Sequence, residues 1–258
     1  MENLTIVKVG GKIVEDEHTL NHLLHHFASL EGLKMLIHGG GNIATEISKK
    51  LGFDVQMVQG RRITSREALD VVVMVYGGLI NKRIVAGLQA LNNNAIGLTG
   101  ADLNIIRAVK RPVREIDYGF VGDIEEVQAS HLKLLLESRF VPVIAPLTHD
   151  KSGQLFNTNA DDITNSLATA LSKNFSVTLV FCFDKPGVLR DQNNLKSSIP
   201  VLKEDELEDL REQDIISDGM IPKLENGFHS LKNGVKSVFL TDVDNFHLEN
   251  PMGTRLIL

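Results

Sequence analysis

Apolar positions recur along the chain with two alternating periods, and their succession predicts strands and helices in turn. Leu4–Val9 reads as a first strand. Leu20, Leu23, Leu24 and Phe27 then form a helical stripe, with His18, His22, His25 and His26 on the opposite face. His22 and His26 have the i,i+4 spacing of a metal pair, but no cysteine or carboxylate motif accompanies them, so the four histidines read as a solvated face. Leu36-Ile37-His38 ends in Gly39-Gly40-Gly41, and Ile43, Ile47 and Leu51 follow at every fourth position, with a stop at Gly52. This predicts strand, glycine turn and helix. Thr64 and Glu67 read as a capping box for a helix from Ser65 to about Leu91. The apolar series Val71–Leu79 within it exceeds one buried stripe. It predicts a homodimer formed through the 65–91 helix, by an isologous interface.

Further along, Ala95–Leu98 reads as a strand and residues 101–124 as hairpins laid over the substrate side. A helix over Ser130–Arg139 and a strand over Val141–Ala145 resume the alternation. A loop over 153–159 leads into a helix through Leu171, followed by an apolar strand, Val177–Phe183. A charged helix (Glu204–Arg211), a helix carrying Leu224–Leu231, and strands Ser237–Leu240 and Arg255–Leu258 complete the pattern. The N-terminal half is therefore a βαβ-type lobe with an antiparallel insertion. No internal repeat marks a solenoid.

Composition narrows the class. With 258 residues, 43% apolar and 23% charged, the chain has the make-up of a soluble globular protein. A net charge of −6 gives no general attraction to nucleic acid or membrane, so any anion site must be local. The single cysteine, Cys182, excludes a disulfide framework and a cysteine metal site. No leader precedes the first strand, and no apolar run reaches the roughly 18 residues of a membrane span, so a cytoplasmic protein is expected.

The chemistry lies in glycine turns and isolated charges. No P-loop, dinucleotide fingerprint, protein-kinase set, nucleophile elbow or His-Glu-x-x-His occurs. Gly39-Gly40-Gly41 and Gly10-Gly11 each end a strand, where a backbone without Cβ atoms approaches a bulky anion and a helix start favours negative charge. Lys8 lies inside an apolar strand, a costly place unless it faces a site or a partner. Lys223 opens a helix after Pro222. Asp161 closes an Asn157-x-Asn159-x-Asp array at a helix start, and Arg62 precedes the capping box. Glycine amides, two lysines and an aspartate together suit phosphoryl transfer, which needs positioned charge more than covalent help. Mg²⁺ would then be held mainly by nucleotide phosphates and water.

In order along the chain, Val7-Lys8-Val9-Gly10-Gly11, His38-Gly39-Gly40-Gly41, Gly60-Arg61-Arg62-Ile63-Thr64, Asn157-Thr158-Asn159-Ala160-Asp161 and Ser217-Asp218-Gly219-Met220-Ile221-Pro222-Lys223 resemble the amino acid kinase family. The last three, with Asn81-Lys82, resemble its acetylglutamate kinase branch. The resemblance implies an α/β fold, an open three-layer αβα sandwich with a mainly parallel central sheet. Residues 1–172 would form a lobe for an acylated amino acid and for dimerisation, and residues 173–258 an ATP lobe. It implies phosphorylation of the γ-carboxylate of an N-acyl-L-glutamate by ATP with Mg²⁺, the second step of arginine synthesis. By motif, Lys8 and Lys223 would stabilise the transferring phosphoryl and Asp161 would orient them. Gly10, Gly11, Gly40 and Gly41 would offer N–H groups to the phosphates and the attacking carboxylate. Arg62 and Asn157 would hold the substrate α-carboxylate, with Asn159 near the acyl amide. Asp184, Lys185, Gly187, Leu189, Ile215, Ile216 and Ser217 would line the nucleotide pocket, with no metal ligand of the protein's own. Three departures stand out. Lys185 adds a cation near the nucleotide. Gly100–Ile106, expected near the acyl end, departs from the family's more common glycine- and lysine-containing version, which keeps N-succinyl-L-glutamate open as the substrate. No helix precedes the first strand, as in arginine-insensitive homodimers. A non-catalytic sensor with the same fold is the other alternative.

Overall fold

Alternation along the first strand decides how the molecule is layered. In β1 (Asn3–Val9), Leu4, Ile6 and Lys8 point to one face of a sheet, while Val7 and Val9 point to the other. In the computed structural model, which describes residues 1–58, 61–213, 215, 216, 220–246 and 253–258, β1 lies inside an eight-stranded sheet. The other strands are β2 (Leu33–His38), β3 (Ala95–Leu98), β4 (Val141–Ile144), β5 (Ser176–Cys182), β6 (Val201–Lys203), β7 (Ser237–Thr241) and β8 (Thr254–Ile257). Their spatial order is β6-β8-β7-β5-β1-β2-β4-β3. Neighbours run parallel except β7 and β8. The sheet thus continues from β1 to β5 without a break between residues 172 and 173.

Helices cover both faces. They are α1 (Gly11–Glu15), α2 (Glu17–Ser29), α3 (Gly41–Lys50), α4 (Arg66–Ala90), α5 (Ala129–Glu137), α6 (Ala160–Ser172), α7 (Leu207–Glu212) and α8 (Ile221–Lys232). Leu4, Ile6, Met35 and Ile37 pack with Leu132, Leu167, Leu210 and Phe228 from α5–α8. Val7, Val9 and Leu36 pack with Ile13, Leu20, Ala44 and Val75 from α1–α4. The three-layer arrangement expected from the chain is therefore present. On the histidine-bearing face of α2, His18, His22 and His25 are exposed as expected, while His26 is half-buried against His22 and Phe246. Among the described residues no group of three or more His, Cys, Asp or Glu could hold a metal.

The insertion is a second sheet. Ile106–Lys110 pairs antiparallel with Gly122–Val127, and Leu147–His149 with Leu155–Asn157. The last two strands escape sequence reading because they are three residues each. Gly100–Ile106 departs from expectation. Ile105 and Ile106 are fully buried, a Cβ on Gly100 would sit 2.8 Å from the carbonyl oxygens of Ile106 and Leu147, and no residue of the segment lines the cleft beside the triple-glycine turn. Ile105 and Ile106 thus belong to the core, while Asp102, Leu103 and Asn104 are exposed.

Helix α4 runs 25 residues, matching the 65–91 expectation, but Val73–Ile80 in its middle is π-helical and contains Gly77-Gly78. Its cap is shifted by one residue. Ser65, not Thr64, accepts from Ala68 N, while Thr64 is buried and serves the site. An 18-residue window of α4 has a mean hydropathy of 1.5, enough to cross a membrane by length and composition alone, although charged residues interrupt the helix at both ends. Core helices pass the same test, and Val71, Val75, Ile80, Ile84 and Leu88 pack against the sheet.

Candidate functional site

Val9 pairs with His38 on one side and with Cys182 on the other, so β1, β2 and β5 end flush. The turns that follow, Gly10-Gly11, Gly39–Gly41 and Phe183-Asp184, leave side by side at the carboxyl edge, where ligands of parallel sheets bind. The two glycine turns touch: a Cβ on Gly39 would lie 3.5 Å from Gly11 N.

Lys8 is directed by strand alternation onto the α6–α8 side, where the first turn of α6 supplies its partner Asp161 and the first turn of α8 supplies Lys223 to the same carboxylate. Lys8 Nζ meets Asp161 Oδ1 at 2.6 Å, and Lys223 Nζ meets Asp161 Oδ2 at 3.5 Å. Asn159 caps α6, accepting from Asp161 N and Asp162 N. Pro222 occupies the first turn of α8, where its missing N–H costs nothing. Burial by itself raises the Asp161 carboxyl, but Lys8 and Lys223 outweigh it and hold the group below its ordinary value. Burial lowers the Lys223 ammonium, and Asp161 offsets part of that. The result is two ammonium groups on one carboxylate, with a positive surplus facing the turns.

A cleft of about 200 Å³ opens on one side of this triad. Gly40, Gly41, Arg62, Asn157 and Asn159 all line it, as expected, together with Tyr76 and Met57. Arg62 is buried. Its Nη2 donates to Gly41 O and to Thr45 Oγ1, both at 2.7 Å, while its Nη1 is buried without a hydrogen-bond partner among the described residues. A buried guanidinium edge left unpaired is suited to a carboxylate. Asn157 Nδ2 donates to Thr64 Oγ1 at 3.1 Å. Gly40 sits at φ +154°, and a Cβ there would come within 2.3 Å of Ile80 Cδ1, so close packing under α4 requires the glycine as much as any ligand does.

A second cleft, of about 340 Å³, opens on the other side. Lys8, Gly10, Gly11, Asp184, Lys185 and Lys223 line it, with Lys12 and Gln192, which sequence reasoning missed. Lys12 Nζ pairs with Asp184 Oδ2 at 2.6 Å. The signal for it was present, a lysine directly after the first glycine pair. Lys185 hydrogen-bonds Gln192, whose Nε2 donates to Ile215 O at 2.9 Å. Gly10 corrects the sequence reading, because its N–H donates to Cys182 O at 2.9 Å and is not available to a phosphate. Gly11, the first residue of α1, keeps the role of exposing backbone. Leu189 and Ile216 are core residues, and Gly187 is buried, with a Cβ position 2.6 Å from Ser198 Oγ. Ser217 lies outside the described residues, as do Gly60, Asp218 and Gly219 of the landmark motifs.

A parallel αβα sandwich carrying paired lysines on a buried aspartate, between two anion-fitted clefts, defines a phosphotransferase of the amino acid kinase class. Residues 3–242 match the amino acid kinase family, and the chain belongs to it. Within the family its sequence falls among the acetylglutamate kinases. It is 56% identical over 256 residues to the acetylglutamate kinase of Parabacteroides distasonis, covering 99% of this chain and 100% of that one. It is also 56% identical over 255 residues to that of Bacteroides fragilis, covering 99% and 97%. The fold resembles the solved N-acetylglutamate synthase of Neisseria gonorrhoeae complexed with coenzyme A and N-acetyl-glutamate, with a TM-score of 0.84 and 19% identity, over 99% of this chain and 59% of that one.

Proposed function

We propose that the protein transfers the γ-phosphoryl group of ATP to the side-chain carboxylate of N-acetyl-L-glutamate, giving the acyl phosphate used in arginine synthesis. The observation that carries this reading is the Lys8–Asp161–Lys223 cluster, whose two lysines line one cleft while Asn159 and Ala160, next to Asp161, line the other. A carboxylate oxygen forms the new bond to phosphorus as the bond to the ADP oxygen breaks, and no proton need move. The protein's task is then to bring two anions together and to stabilise spreading charge. Lys8 and Lys223 meet the transferring group, and Asp161 fixes where their ammonium groups stand. Gly11 and Gly40–Gly41 offer close backbone approach from either side. Arg62 Nη1 and Asn157 receive the α-carboxylate, and the Nδ2 of Asn159 is left for the acyl amide because its oxygen caps α6. Asp184, Lys185, Lys12 and Gln192 border the nucleotide.

Mg²⁺ fits this site as a companion of the nucleotide. The carboxylates at the site, Asp161 and Asp184, are each paired with lysine, which leaves the ion to phosphate oxygens and water. When bound, it neutralises charge on the phosphates. In this reading residues 1–172 supply the acceptor lobe and 173–258 most of the nucleotide lobe, with the catalytic lysines one on each side, in a cytoplasmic enzyme. The acetyl group is favoured because the relatives named above are acetylglutamate kinases. They lend no support to N-succinylglutamate.

A panel of N-acetylglutamate, N-succinylglutamate, glutamate, N-acetyl-aminoadipate and carbamate with MgATP, trapped by hydroxylamine, tests the assignment. Hydroxamate from N-acetylglutamate at the highest kcat/KM is the expected result. Nucleotide binding without turnover on any acylglutamate would return the protein to a sensor role.

We further propose that two copies associate through α4. Its outer face exposes Met74 at 56% and Leu79 at 41% beside Gly78, an apolar patch left open by the described residues of its own chain. Leu79→Lys, which places like charges near the two-fold axis, is expected to shift the sedimentation profile from dimer to monomer. A wild-type monomer at micromolar concentration rejects the interface.

A further inference from the structure

His38 is a buried titratable residue that the reaction itself does not use. It ends β2, is fully buried, and lies on the α1–α4 side of the sheet. Its Nδ1 is 2.9 Å from Gly39 O, and its Nε2 is 3.3 Å from Asn81 Nδ2. A carbonyl oxygen can only accept, so Nδ1 carries the proton and Nε2 offers its lone pair to the Asn81 amide. Burial pulls the imidazole down to about 4, partly offset by the bond to Gly39, and this keeps it neutral with a single N–H. Asn81 is equally committed. Its Nδ2 also donates to Val143 O at 2.9 Å, and its Oδ1 accepts from Lys82 Nζ at 3.1 Å. Gly97 makes room for this network, since a Cβ there would fall 1.8 Å from Asn81 Oδ1.

The network ends on one peptide group. Gly39 N donates to Val9 O at 3.2 Å, and Gly39 O accepts from His38, so both backbone groups of Gly39 are held. In a trans peptide the C=O and the following N–H point in opposite directions. Holding Gly39 O toward the protein interior turns Gly40 N–H outward, to the gap where Gly11 approaches: a Cβ on Gly11 would lie 3.9 Å from Gly40 N. Among the described residues, Gly40 N–H has no protein acceptor. We propose that His38 and Asn81 are positioning residues that fix the Gly39–Gly40 peptide so that its N–H faces the attacking carboxylate and the incoming phosphoryl group. The role rests on the kinase reading above, and it sets a fixed backbone donor of the oxyanion-hole kind beside the lysines that Asp161 holds.

Two measurements test it. In ¹⁵N-histidine-labelled wild-type protein, NMR is expected to show His38 neutral, with Nδ1 protonated and Nε2 bare, from pH 8 to pH 5.5. In kinetics, His38→Ala and His38→Gln are expected to lose about 10- to 100-fold in kcat, with KM for ATP within about twofold, because the donor at the Nδ1 position is gone. His38→Asn, whose amide nitrogen overlays Nδ1, is expected to recover turnover to within about fivefold of wild type. A proton on Nε2 in the wild-type protein overturns the proposal whatever the variants do. So does a folded His38→Gln that keeps wild-type kcat. If the wild-type protein binds nucleotide but phosphorylates no acylglutamate, the kinase reading fails, and the positioning role fails with it even where the tautomer is as stated.

Discussion

Lys223→Ala is expected to lose about a thousandfold in kcat while KM for N-acetylglutamate changes less than about threefold. The reason is where the charge stands. Lys223 is drawn into a partly dehydrated position by Asp161, which it shares with Lys8. In such surroundings an ammonium group acts on developing phosphoryl charge far more strongly than it would in water. Little effect on acceptor binding is expected, because the cleft proposed for the acceptor is lined by Arg62, Asn157 and the glycine turn, and not by Lys223. Rapid-quench measurement of a single turnover separates the chemical step from product release. Lys8→Ala should cost a similar factor, and the double variant little more than either alone, because Asp161 positions the two as a unit. Single-turnover rates within tenfold of wild type in Lys223→Ala would falsify the assigned role.

Gly40→Val should abolish acceptor binding and leave ADP binding within about twofold of wild type. A β-branched side chain at φ +154° is strained, and its Cβ starts 2.3 Å from Ile80 Cδ1, so the turn must shift into the acceptor cleft. The cleft proposed for the nucleotide borders Gly10, Gly11 and Asp184 and does not include Gly40. Calorimetry with ADP and with N-acetylglutamate in separate titrations reads the two ends independently. Retained ADP binding also shows that the variant is folded. Loss of ADP binding with normal acceptor binding would assign the triple-glycine turn to the nucleotide instead.

Much of this site is legible in the order of residues alone. Lys8 stands out because a charge inside Val7-Lys8-Val9 needs a reason, and Asp161 because it follows a capping asparagine at a helix start. Their contact is not legible, since 152 positions separate them and only the parity of β1 sends Lys8 to the α6 face. Arg62 can be marked as a carboxylate ligand from its place before a helix. That its Nη1 is the unpaired edge follows from Gly41 and Thr45 occupying Nη2. Gly10 shows the opposite outcome: a glycine next to a strand end promises a free amide, and the neighbouring strand takes it up. Lys12 escapes notice because a lysine on a short helix has the pattern of solvated surface until Asp184, from a distant strand end, is placed 2.6 Å away.

The two periods of apolar residues carry the local information: which segments are strands, which are helices, and that helices alternate with parallel strands. They do so because side-chain direction repeats every second residue in a strand and about every 3.6 in a helix, and each segment must bury one face. Periodicity says nothing of neighbours across the sheet. The placement of β5 beside β1, the flush ends of β1, β2 and β5, and the burial of His38 under the triple-glycine turn are decided only when the strands pack. Catalytic geometry belongs to that second kind of fact. It depends on contacts whose free energy appears only after the chain between them has been ordered.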